Sequence, residues 1–126
     1  MLAVSIVAAA LAAVLHVYIF WMESLAWRGP RARATFGPAT DAEVEATAPL
    51  ALNQGFYNLF LAIGTVVGVY FLATGKAEAG RALVGFGCAC MVGAACILAT
   101  GGTKFVRGVL MQGTPPLVAL VGLFVL

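Results

Sequence analysis

Residues 2–27 read LAVSIVAAALAAVLHVYIFWMESLAW, and no formal charge interrupts them before Glu23. A helix of about 20 apolar residues crosses a hydrocarbon core about 30 Å thick. Trp21, Trp27 and then Arg28 close the stretch as aromatic and basic side chains close a span at the membrane–water interface. The run has no basic leader, and it continues beyond the apolar length of a signal peptide, so it reads as a retained span.

The rest of the chain has the same character. Of 126 residues, 63% are hydrophobic, and seven basic and five acidic side chains cannot clothe a soluble domain of this size. Further spans are expected over residues 49–74, 80–100 and 113–126. Gly75 and Gly101 stand after the second and third, where a glycine ends a helix. The fourth is irregular. Counted from Pro115 it is too short to cross, and counted from Phe105 it takes in Arg107, Gln112 and the Pro115–Pro116 pair. The sequence therefore predicts an all-α fold, a four-helix transmembrane bundle with a short or kinked last helix. One integral membrane domain occupies residues 1–126.

The connection over residues 28–48 is the only long one. It begins basic (Arg28, Arg31, Arg33) and turns acidic (Asp41, Glu43, Glu45). Thr40 and Glu43 have capping-box spacing, so a short helix is expected to begin there and lead toward the second span. The loop reads as a solvated interfacial segment, with a lid over a site as the rarer use. With Lys104 and Arg107 on the same side, against Lys76 and Arg81 opposite, the positive-inside rule gives an orientation. It predicts a plasma (inner) membrane protein with the long loop in the cytoplasm and both termini outside.

Polar groups inside spans are costly and usually face the bundle interior. Here they are concentrated. His16 and Glu23 lie seven residues apart on nearly one stripe of the first helix. Asn53 precedes Tyr57 by four residues, and Gln54 precedes Asn58 by four. With about 1.5 Å of rise per residue, Glu23 falls about 3 Å inside the inner edge, Asn53 and Gln54 about 6–8 Å, and His16 and Asn58 about 13 Å. Gln112 falls on the same side. One inward-facing cavity accounts for this clustering better than scattered defects do. His16 and Glu23 are the candidate catalytic pair, since an imidazole and a carboxyl together move protons. Asn53, Gln54, Tyr57, Asn58 and Gln112 are the candidate ligand-binding residues, able to orient a hydroxyl, carbonyl or carboxylate. Each also has a plainer reading as interhelical glue.

No metal site is expected, with a single histidine and three cysteines (Cys88, Cys90, Cys96) confined to another helix. Those cysteines read as small packing residues. No phosphate loop, nucleophile elbow or haem-attachment motif is present, so the cofactor is unassigned. A net charge of +2 gives no footing for nucleic acid.

The pattern His16-Val-Tyr-Ile-Phe-Trp-Met-Glu23, followed by Asn53-Gln-Gly-Phe-Tyr-Asn58-Leu-Phe-Leu-Ala62 and a closing Gln112-Gly-Thr-Pro-Pro116, resembles the bacterial family known as domain of unknown function 1304. The resemblance covers essentially the whole chain. It implies a four-helix integral membrane protein and supplies no activity.

Two functions fit these residues. One is an intramembrane polar cavity that binds or converts a hydrophobic, lipid-like small molecule, as an isomerase or transferase would. The other is a non-catalytic accessory or structural subunit beside a larger membrane complex. The expected partners are membrane lipids and such a small molecule. The dense small residues of the second and third spans would also suit further copies of the chain or a larger complex. A transporter is the weaker reading, because no inverted repeat and no polar path to the outer face are visible.

Overall fold

The computed structural model describes residues 1–37 and 39–126, and the described residues are all-α. Helix α1 (Leu2–Phe20) continues into a π-helical turn (Trp21–Leu25). There follow α2 (Pro30–Phe36), α3 (Asp41–Ala73), α4 (Ala77–Ala99), a short 3₁₀ turn (Thr103–Phe105) and α5 (Val106–Phe124). Among the described residues, four segments are long and apolar enough to cross a membrane: Leu2–Leu25, Asp41–Ala73, Ala77–Ala99 and Thr103–Phe124.

The ends of these helices follow local chemistry. At the start of α3, Thr40 Oγ1 accepts the Glu43 N–H at 3.1 Å and donates its proton to Glu43 Oε1. That is half of the capping box expected from the sequence, with the Glu43 carboxylate bonded to the Thr40 hydroxyl instead of its backbone N–H. The short helix beginning there and the span expected from residue 49 are one helix, which carries Pro49 in its interior. Proline lacks the N–H and forfeits one intrahelical bond, but the apolar stretch beyond it keeps the helix going. At the other end Gly75 adopts φ +85°, and the Lys76 N–H reaches back to the Phe71 carbonyl at 2.9 Å. This left-handed closure is where glycine is favoured. After α4 the left-handed residue is Gly102 rather than Gly101. The last helix begins at Val106, ahead of the span expected from residue 113, and contains both Pro115 and Pro116.

The described residues form two compact units. The first comprises residues 1–15 and 61–126, the start of α1 and the end of α3 with α4 and α5. Its burial pattern suits lipid. On α1, Ser5, Ala8, Ala9, Ala12 and Ala13 are buried while Val4, Val7, Leu11 and Val14 are exposed. Small residues face inward because close packing, not water exclusion, holds helices together in a bilayer. Ala8, Ala9, Leu72, Val84, Cys88, Ala119 and Leu123 make one core cluster. Gly68 lets α3 approach α4 so closely that a Cβ there would lie 2.8 Å from the Val84 backbone nitrogen. Gly64, its partner in the GxxxG pair, faces open space.

The second unit, residues 16–60, holds the rest of α1, the π-helical turn, α2 and the first part of α3. Its polar end is tied by pairs along the 28–48 connection. Arg28 grips Glu45 with two bonds, at 2.5 and 3.0 Å, and Arg33 meets Asp41 at 2.6 Å. The Trp27 indole N–H donates to Thr47 Oγ1 at 3.1 Å. These pairs are exposed and fix the path of the chain more than they stabilise it.

Candidate functional site

The site is built where α1 widens into the π-helical turn. The Ala26 N–H donates to the Trp21 carbonyl five residues back, at 2.8 Å. Such turns carry an extra residue and are frequent at functional positions. Met22 and Glu23 are both buried within it. The next residue, Ser24, fixes the approach of α3. Its hydroxyl donates to the Leu52 carbonyl at 2.9 Å, and its backbone lies against Gly55, where a Cβ would fall 3.0 Å from both the nitrogen and the Cβ of Ser24.

This close crossing brings Asn58 to Glu23. The Asn58 amide donates to Glu23 Oε1 at 2.6 Å and to the backbone carbonyl of Gln54 at 3.2 Å. Both N–H groups of the amide are thereby committed. Asn58 Oδ1 and Glu23 Oε2 accept no bond among the described residues. Near this crossing Phe20 of α1 meets Phe56 of α3 edge-on with centroids 5.1 Å apart, and Tyr18 stacks on Trp21 at 5.9 Å. Outside the spans, pairing with Glu45 raises the Arg28 guanidinium above its ordinary value, so this tie stays ionic.

The residues singled out in the sequence take different places. Glu23 and Asn58 are brought together. His16 is completely buried on the same helix as Glu23. Gln54 contributes its backbone carbonyl, while its side chain, with those of Asn53 and Tyr57, lies on the exposed face of α3. Gln112 is half-buried on α5 in the first unit. The buried hydroxyls of that unit are satisfied locally, Ser5 by the Met1 carbonyl at 3.1 Å and Thr65 by the Leu61 carbonyl at 2.8 Å. An open crevice of about 570 Å³ in the same unit is lined by Met1, Leu2, Arg81 and residues 122–126, and none of the candidate residues lines it. Sequence reasoning missed Ser24 and Gly55. Gly55 was visible as the glycine inside the Asn53–Asn58 motif, and Ser24 only by its position beside Glu23.

Four apolar spans and an interhelical carboxyl–amide pair define the class: a multi-pass membrane protein with a polar centre between two of its helices. The family model described as protein of unknown function (DUF1304) matches residues 10–124, and the chain belongs to that family. Comparison with curated proteins and with solved structures gives no match.

Proposed function

We propose that the Glu23–Asn58 pair is the binding centre for a hydrophobic small molecule held by a hydroxyl or amine at its polar end. The observation that carries this reading is the state of the Asn58 amide. Its two N–H groups are spent on Glu23 and Gln54, so with the Glu23 carboxyl ionised the pair offers a ligand only acceptor oxygens. Acceptors without donors select a ligand that donates. The Phe20–Phe56 ring pair, joining the same two helices, suits an apolar body. His16, buried on the same helix, supplies an imidazole able to carry a proton, so a bound molecule could also be converted by proton transfer.

The test is a titration of the protein in lipid nanodiscs with a fluorescent long-chain alcohol, the matching amine and the matching methyl ether. The alcohol and amine should bind about tenfold or more tightly than the ether, the difference expected of one hydrogen bond to a charged acceptor. Glu23→Gln should reduce that preference and Asn58→Leu should abolish it. Equal binding of all three probes would overturn the proposal. The tight Ser24–Gly55 contact favours a second reading, an accessory subunit whose polar pair only locks the helices. Failure of every probe to bind would point that way. We further place the 28–48 connection in the cytoplasm and both termini outside, on the excess of Arg28, Arg31, Arg33, Lys104 and Arg107.

A further inference from the structure

Glu23 is a buried carboxyl to which the fold gives no cation. It stands two residues before the end of the first apolar segment, Leu2–Leu25, and keeps only 9% of its surface open. Among the described residues its carboxyl bonds only to the Asn58 amide, which is neutral. Burying an ionised carboxyl is costly unless a positive group stands beside it. The arginines of the same unit are engaged elsewhere or remote. Arg28 grips Glu45, Arg33 meets Asp41, and Arg31 is exposed on α2. His16 lies seven residues back on the same helix, about 10 Å of rise. No basic side chain forms an ion pair with Glu23 among the described residues.

Ionisable groups inside a span ordinarily pair with an opposite charge or mark a substrate path. Here the chemistry of the acceptors says which cation fits. An ionised carboxylate has about four lone-pair sites, and Asn58 occupies one of them. A primary ammonium has only N–H donors, and the carboxylate with Asn58 Oδ1 can accept them all. A hard metal ion asks for more, about six to eight oxygens in the case of calcium. Among the described residues, no three metal-binding side chains converge. The level suits an amphiphile as well. Glu23 is about 3 Å of helix from the end of its apolar segment. A charged head is held at that level while its hydrocarbon stem lies among apolar groups.

We infer that the Glu23–Asn58 centre selects a cationic amphiphile, a long-chain primary amine in its protonated form, whose ammonium is the counter-charge to Glu23. The inference rests on the reading of the pair as a binding centre for a donating ligand and narrows it. That reading needs a donor, and this one needs a positive charge.

The experiment titrates the wild-type protein in zwitterionic lipid nanodiscs at neutral pH, with binding to empty discs subtracted. The probes are a fluorescent long-chain amine, the matching alcohol and the matching primary carboxamide. The amine is protonated, since an alkyl ammonium holds its proton up to about pH 10, whereas the carboxamide offers N–H donors without charge. The amine should bind about tenfold more tightly than either neutral donor, because attraction between opposite charges is strong where water is excluded. Glu23→Gln keeps the size of the side chain and removes its charge. With helicity unchanged by circular dichroism, it should bring the amine down to the level of the alcohol. Alcohol and carboxamide binding as tightly as the amine overturns the inference and leaves the donor-binding reading standing. An amine preference that survives Glu23→Gln also overturns it. Failure of all three probes to bind removes both.

Discussion

Replacing Gly55 by alanine tests whether the contact with Ser24 builds the site. The new Cβ would lie 3.0 Å from both the backbone nitrogen and the Cβ of Ser24, and it would overlap Ser24 Oγ outright. Ordinary carbon contacts need about 3.5–4.0 Å, so α1 and α3 must part here by about 0.5–1 Å. The hydroxyl can rotate away, but it then gives up the Leu52 carbonyl. The backbone nitrogen cannot move alone. Overpacking of this kind costs about 1–3 kcal/mol, and the lost hydrogen bond adds about 1 kcal/mol. The sum is a destabilisation of about 2–4 kcal/mol. The same separation would stretch the Asn58–Glu23 bond from 2.6 Å to the edge of hydrogen-bonding range, so probe binding should fall with stability. Reversible unfolding in mixed micelles measures the loss, and Ser24→Gly supplies the second arm of a double-mutant cycle. Removing Oγ and Cβ from residue 24 should recover about half of the deficit, a coupling of about 1–2 kcal/mol. A Gly55→Ala protein within about 0.5 kcal/mol of wild type would refute the reasoning, as would a cycle without coupling.

The GxxxG pair on α3 should divide sharply. Gly68→Ala places a methyl group 2.8 Å from the Val84 nitrogen and should cost about 1–3 kcal/mol. Gly64→Ala meets nothing within 4 Å and should be neutral or stabilise by up to about 1 kcal/mol through helix propensity; equal losses in unfolding experiments would contradict this. Orientation is open to a labelling test in intact cells, using single cysteines at Thr35 and Glu78 in a background with Cys88, Cys90 and Cys96 replaced by alanine. An impermeant maleimide added outside should reach position 78 and spare position 35, and the reverse pattern would invert the proposed topology.

Much of the fold was legible because lipid imposes a simple rule on sequence. Every backbone polar group in the bilayer core must be satisfied within its own segment, so long apolar runs become helices. Residues 2–27 met that rule without ambiguity, and Thr40, Glu43 and Gly75 marked helix ends through local hydrogen bonds that need only neighbours in sequence. Proline blurred the picture. Pro49, Pro115 and Pro116 each remove one backbone bond and read locally as boundaries, yet α3 and α5 run through them. The apolar residues on either side outweigh the missing bonds once the whole segment lies in lipid.

The polar set divides along the same line. Sequence spacing alone set Asn58 level with His16 and Glu23 about 10 Å nearer the membrane edge, so the bond between Glu23 and Asn58 was not legible in it. It could not say which face of Asn53–Asn58 would turn inward, because four polar side chains within six residues cover too wide an arc for periodicity to choose. Tertiary packing made that choice. Gly55 is the residue of the motif small enough for α1 to approach, so Asn58 turned in with it, and Asn53, Gln54 and Tyr57 were left outside. The widened turn at Trp21–Leu25 has no signature in the residue types. It was decided when Glu23 and Ser24 both found partners on α3, at Asn58 and Leu52, and the extra residue in the turn let neighbouring side chains serve one crossing.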